Sequence, residues 1–159
     1  MSHILVGFST KKDDWLSLLI CWFTRWRHSH VVLVNAEQTR IVESTSFPFQ
    51  DPEDGEMRDG VREVPIAYLR KKDLVEIRKI EHPSPETVWG LAANMAKRKV
   101  RYDHRRVIDW LFRMGDGDDE KVTCEELIFV CAARAGHPLT PDGMIYTTPR
   151  DLYLISKEV

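Results

Sequence analysis

The 159-residue chain has no excess of either charge, few cysteines and no long apolar run. Its 23 Lys and Arg stand against 25 Asp and Glu, so no global electrostatic argument favours nucleic acid or an anionic membrane as partner. Three cysteines cannot all pair, and a small secreted fold stapled by disulfides would carry a denser, even set. A reducing compartment is the expectation. No stretch approaches the roughly 18 consecutive apolar residues of a membrane span. The opening MSHILVGFSTKK is not a basic leader followed by an apolar run and a small-residue cleavage site. These absences imply a soluble, cytoplasmic protein with no stable membrane insertion. The sequence also lacks CxxC, HExxH and acids at ligand spacing, so neither a metal nor a cofactor is expected. Without internal repeats, low-complexity tracts or a dividing linker, residues 1–159 read as one domain. A chain of this length buries roughly two thirds of the surface its unfolded form exposes.

What is present alternates between two periods. HILVGFS reads as a strand. Asp13 and Asp14 then open a helix in which Trp15, Leu18, Leu19, Trp22, Phe23 and Trp26 recur at three- and four-residue steps, the pattern of a core helix. HVVLVNAEQTRIVESTSF reads as a hairpin turning at residues 35–39, and PFQDPEDGEMRDG as a surface loop. GVREVPI and DLVEIRKI are strands, and residues 84–98 a helix with Ser84 as cap and Pro85 in its first turn. YDHRRVIDWLFRMG reads as a helix, GDGDDEKV as a loop, and GMIYTT and LYLIS as closing strands. The sum is an α+β fold.

The chemistry centres on KVTCEELIFVCAARAG. Thr123 followed at three residues by Glu126 matches a capping box, so a helix starts at Cys124. There, free N–H groups and the positive end of the helix dipole stabilise a thiolate and can hold a developing oxyanion. Cys21 and Cys131 sit inside apolar helical runs and read as small hydrophobes, which is also the bland reading of Cys124. A nucleophile needs a base. His30 stands at the mouth of an apolar strand that can aim it rigidly, with His28 as its rival. Glu43, on the paired strand, shares a face with Ile41 and can orient the imidazole from its other nitrogen.

WFTRWRHSHVVLV, RIVEST, VRYD and VTCEELIFVCAARAG, in that order, resemble the permuted NlpC-type papain-fold hydrolases of the YiiX/YaeF-like group. In unpermuted papain-like enzymes the Cys helix precedes the His strand; here His30 comes first. The resemblance implies a permuted papain-like (NlpC-type) fold in which a small antiparallel sheet packs against helices. It further implies a cysteine amidase or peptidase with Cys124 as nucleophile, His30 as base and Glu43 as orienting residue, acting on a peptide, amide or acyl substrate. Tyr102 is similar to a family tyrosine bordering the cleft, and Thr123, next to the nucleophile, is placed with it as substrate-binding. The residue after the nucleophile is usually serine in that group, whereas here it is Glu125, a carboxylate that would raise the thiol pKa if turned inward. Three other classes compete. One is a thioesterase or acyltransferase on lipid acyl groups. Another is a non-catalytic binding or virion-associated module, and the third is redox sensing, for which no resolving cysteine is evident.

Overall fold

The structure, a computed structural model, describes residues 2–10, 15–71, 73–104, 121–140 and 148–159. Its centre is β1 (His3–Thr10), buried from its second residue onward. Such a near-continuous apolar run is what a strand covered on both faces requires. β2 (His30–Val34) and β3 (Arg40–Gln50) form the expected hairpin, turned by Asn35, whose side-chain oxygen accepts from the N–H groups of Thr39 and Arg40. β4 (Met57–Pro65), β5 (Asp73–Glu81) and the short β8 (Lys157–Glu158) complete a six-stranded antiparallel sheet of order β4-β3-β2-β1-β5-β8. Its helical partners are α1 (Trp15–Thr24), α2 (Ala67–Arg70), α3 (Pro85–Lys97), α4 (Cys124–Arg134) and α5 (Pro149–Ile155). The α+β class is thus as the sequence implied.

Strand alternation divides the core in two. Val6, Phe8, Val31, Leu33 and Val42 meet Val88 and Ala92 of α3 and Leu127, Ile128 and Cys131 of α4. On the other face Leu5, Val32, Val34 and Ile41 pack with Ile66 and with Leu69 of α2. β6 (Arg101–Tyr102) and β7 (Lys121–Val122) form a separate parallel pair in which Tyr102 opposes Val122, and β7 leads directly into α4.

Several expectations need correction. The segment read as a surface loop is mostly strand. β3 runs on to Gln50 and β4 begins at Met57, with an irregularity between Thr45 and Phe49 where Pro48 supplies no N–H to the ladder. LYLIS belongs to α5 rather than to a strand, because Thr148 N–H and Oγ1 both donate to Asp151 and Pro149 occupies the first turn. These are helix-start signals that outweigh the β-branched and aromatic content. In α1, Leu18 and Trp22 are 50% and 73% exposed, while Ser17 is buried and Cys21 half-buried, so part of the face assigned to the core points outward. Tyr102, read as helix, lies in β6, Lys121 and Val122, read as loop, form β7, and Thr148, read as strand, is the α5 cap. The Asp13 and Asp14 cap, most of the remaining helix read over 102–115, and the rest of the loop and of the GMIYTT strand lie outside the described residues.

Candidate functional site

Pairing between β2 and β3 covers only Leu33 with Val42 and Val34 with Ile41. Asn35 N–H donates to Arg40 O across the turn, so by antiparallel alternation the N–H groups of Leu33 and Val31 also point toward β3. At Val31 the ladder has already opened. Its backbone amide acts instead on Cys124, lowering the thiol pKa. Ser44, which would have faced Val31, donates its hydroxyl to Val122 O at 2.7 Å. The β7–α4 junction is therefore wedged into the splay of the hairpin, and Cys124 sits at the start of α4 as its sequence signals implied.

His30 and Glu43 lie on either side of the same opening. Nε2 of His30 meets Oε2 of Glu43 at 2.7 Å. Glu43 is fully buried, whereas the His30 side chain is 19% exposed. Burial alone would raise the Glu43 pKa. The His30 hydrogen bond, reinforced by the charges of His30 and Arg62, overrides it and holds the carboxyl at about 2. An ionised carboxylate accepts, so Nε2 carries the proton and Nδ1 presents a lone pair in the neutral ring. Among the described residues Nδ1 has no hydrogen-bond partner. The shared face of Ile41 and Glu43 is also as expected, but it is the face turned away from α4. No His30–Cys124 hydrogen bond is formed among the described residues; the sulfur lies by the start of β2, next in sequence to His30, through its interaction with the Val31 amide.

The thiol differs from expectation. Cys124 is buried, and its Sγ donates to Oε2 of Glu125 at 3.1 Å. Burial pushes the thiol well above its ordinary range and the Glu125 charge pushes further; N–H groups of Val31 and Glu125 counteract this without prevailing. The helix start alone does not yield a thiolate here. Cys131 is raised to about 12 by burial, and its sulfur lies 3.8 Å from that of Met95. Cys21 is raised by burial, partly offset by hydrogen bonds with Thr10 and Ser29.

The remaining assignments separate. Tyr102 is buried and pairs with Val122, two residues before Cys124; burial raises its pKa well above the ordinary value. Thr123 is the α4 cap residue, with its N–H donating to Glu126 at 3.2 Å. His28 is elsewhere: its ring packs 5.9 Å from that of Phe8 and 6.2 Å from that of Tyr153, with Nε2 at 3.5 Å from Glu76. The chain between His28 and His30 is irregular, so the two do not share a strand face. Sequence reasoning missed Arg62, whose Nε and Nη2 reach Oε1 of Glu43 at 2.8 and 2.5 Å. Among the described residues no group of His, Cys, Asp and Glu is arranged to hold a metal. Comparison of the chain with protein-family models, curated proteins and solved structures returned no match.

Proposed function

We propose that the chain is a cysteine hydrolase of the amidase or peptidase type, built on a permuted papain-like arrangement. The observation that carries this reading is the convergence at the open end of β2. There a buried carboxylate fixes the imidazole tautomer of His30, and the next residue's amide acts on the thiol of a cysteine at a helix start. That combination supplies a nucleophile, a base with a free lone pair, and N–H groups for an oxyanion.

In the proposed cycle the S–H turns from Glu125 to Nδ1 of His30, and the proton moves to the ring as sulfur bonds to the carbonyl carbon. The carbonyl electron pair moves to oxygen, toward the N–H groups of the first turn of α4. The tetrahedral species collapses, the amine leaves with the proton from His30, and a thioester on Cys124 remains. Water then gives a proton to His30 and its oxygen to the carbonyl, and collapse releases the acid while sulfur recovers the proton. Tyr102 and Thr123 border the carbonyl. The test is turnover of peptide anilides and p-nitrophenyl esters, with Cys124→Ala as the zero; equal turnover by the two proteins contradicts the reading.

A second reading, thioester hydrolysis or acyl transfer on lipid acyl groups, is favoured by the exposure of Leu18 and Trp22 on α1. Cys21, which flanks that face on the same helix, makes a hydrogen bond with Ser29, the neighbour of His30. An exposed apolar surface on the helix that contacts the base's neighbour suits an acyl chain. It predicts that ester turnover rises with acyl length in the wild type and that Trp22→Ala removes the dependence. No dependence on length leaves the amidase reading alone.

A further inference from the structure

We infer that Arg62 is a positioning residue of this site, the outer member of an Arg62–Glu43–His30 chain that decides which imidazole nitrogen carries the proton. The inference rests on the hydrolase reading only for its consequence at Cys124.

The β3–β4 register places Arg62 directly opposite Glu43. Both guanidinium contacts, at 2.8 and 2.5 Å, fall on Oε1, which leaves Oε2 to His30 at 2.7 Å. The carboxylate is thereby divided, one oxygen to each partner, and cannot rotate without losing both. The guanidinium is itself fixed, its carbon lying 4.8 Å from the ring centre of Phe49 and 5.4 Å from that of Tyr68. Planar stacking together with two donors on one oxygen is a task for Arg and not for Lys.

Remove the guanidinium and burial is opposed by the imidazole alone. Glu43 then takes up a proton at higher pH, and a protonated carboxyl donates rather than accepts. Facing a donor, Nε2 becomes the acceptor and the ring proton moves to Nδ1, where no lone pair is left to receive the thiol proton. Arg62 therefore acts two groups away from the sulfur by holding Glu43 as an anion in one orientation.

The experiment measures three quantities in wild type, Arg62→Met and Arg62→Lys. They are the 15N chemical shifts of the His30 ring, the carbon-detected titration of the Glu43 carboxyl, and the rate of Cys124 acetylation by p-nitrophenyl acetate. In wild type the ring is the Nε2–H tautomer and Glu43 stays ionised well below the usual carboxylate range. Arg62→Met shifts the Glu43 titration up by on the order of one unit or more, brings in the Nδ1–H tautomer, and slows acetylation about tenfold or more. Arg62→Lys keeps the charge without the fork or the planar face, falls between the two, and carries the test alone if Arg62→Met does not fold. Wild-type tautomer and wild-type Glu43 titration in every variant that folds overturn the inference. A moved tautomer with no acetylation of wild-type Cys124 would instead uphold the positioning role and count against the hydrolase reading.

Discussion

At the scale of the residue, Glu125 decides the resting state of the thiol. Its carboxylate receives the S–H at 3.1 Å, and its charge adds to burial in raising Cys124. Glu125→Gln removes the charge while leaving burial, so the thiol falls toward its ordinary range and iodoacetamide labels Cys124 faster. The gain is roughly tenfold for each unit the pKa drops, as long as the pH stays below it. Peptide mapping after limited labelling at pH 8 checks this, and an unchanged rate contradicts it. Residue identities were legible in the sequence here, but side-chain direction was not. Thr123 and Glu126 announced the helix start, whereas whether Glu125 turns inward depends on a rotamer that no spacing encodes. The depth at which Cys124 lies depends on how far α4 wedges between β2 and β3, which is equally a tertiary matter.

At the scale of the element, the site exists because one hairpin opens and another stays closed. β3 and β4 remain paired from Arg40 opposite Pro65 to Thr45 opposite Gly60, which carries Arg62 to Glu43. Gly60 makes this possible. Its φ is 115°, and a Cβ there would stand 2.2 Å from Val100 O and 2.7 Å from Arg101 Cα. The β4 backbone can then lie against the segment leading into β6, where Val61 N–H donates to Val100 O at 2.8 Å. Gly60→Ala meets both the backbone conformation and the contact, and should cost about 2 kcal/mol or more in urea unfolding; a loss under half of that contradicts the packing described. The β2–β3 hairpin was readable because its apolar runs flank a polar turn, and with it the approach of His30 to Glu43. Arg62 was not readable, since its place opposite Glu43 requires the register of a hairpin interrupted near Pro48 and disguised by acids and glycines. The α5 helix was readable in principle from Thr148, Pro149 and Asp151, signals that the β-branched and aromatic residues after them masked.

At the scale of the whole molecule, the Arg62–Glu43–His30 chain, with Glu43 buried between its partners, links stability to pH. The folded Glu43 carboxyl is held at about 2, against an ordinary 4.5. A depressed carboxyl contributes stability that is fully present above the unfolded value and is lost as pH falls through the folded one. Unfolding midpoints in urea should therefore decline from about pH 5 downward more steeply in the wild type than in Glu43→Gln, which cannot titrate. That variant should also start lower. Both neighbours of residue 43 donate hydrogen bonds, and an amide offers only one acceptor oxygen, so one buried donor is left unmatched at a cost of roughly 1–3 kcal/mol. Parallel pH profiles for the two proteins contradict the assignment. Among the described residues no helix is long and apolar enough to cross a membrane.

The proposed hydrolysis depends most on His30 serving Cys124 across the open end of β2. Intact-protein mass spectrometry after brief exposure to p-nitrophenyl acetate, with peptide mapping of the adduct, tests this in wild type and in His30→Ala. The prediction is a single acetyl group on Cys124 that forms and then decays in the wild type, and forms at least about a hundredfold more slowly without the imidazole. Acetylation of Cys124 at equal rates in the two proteins, or an adduct confined to Cys21 or Cys131, would contradict it.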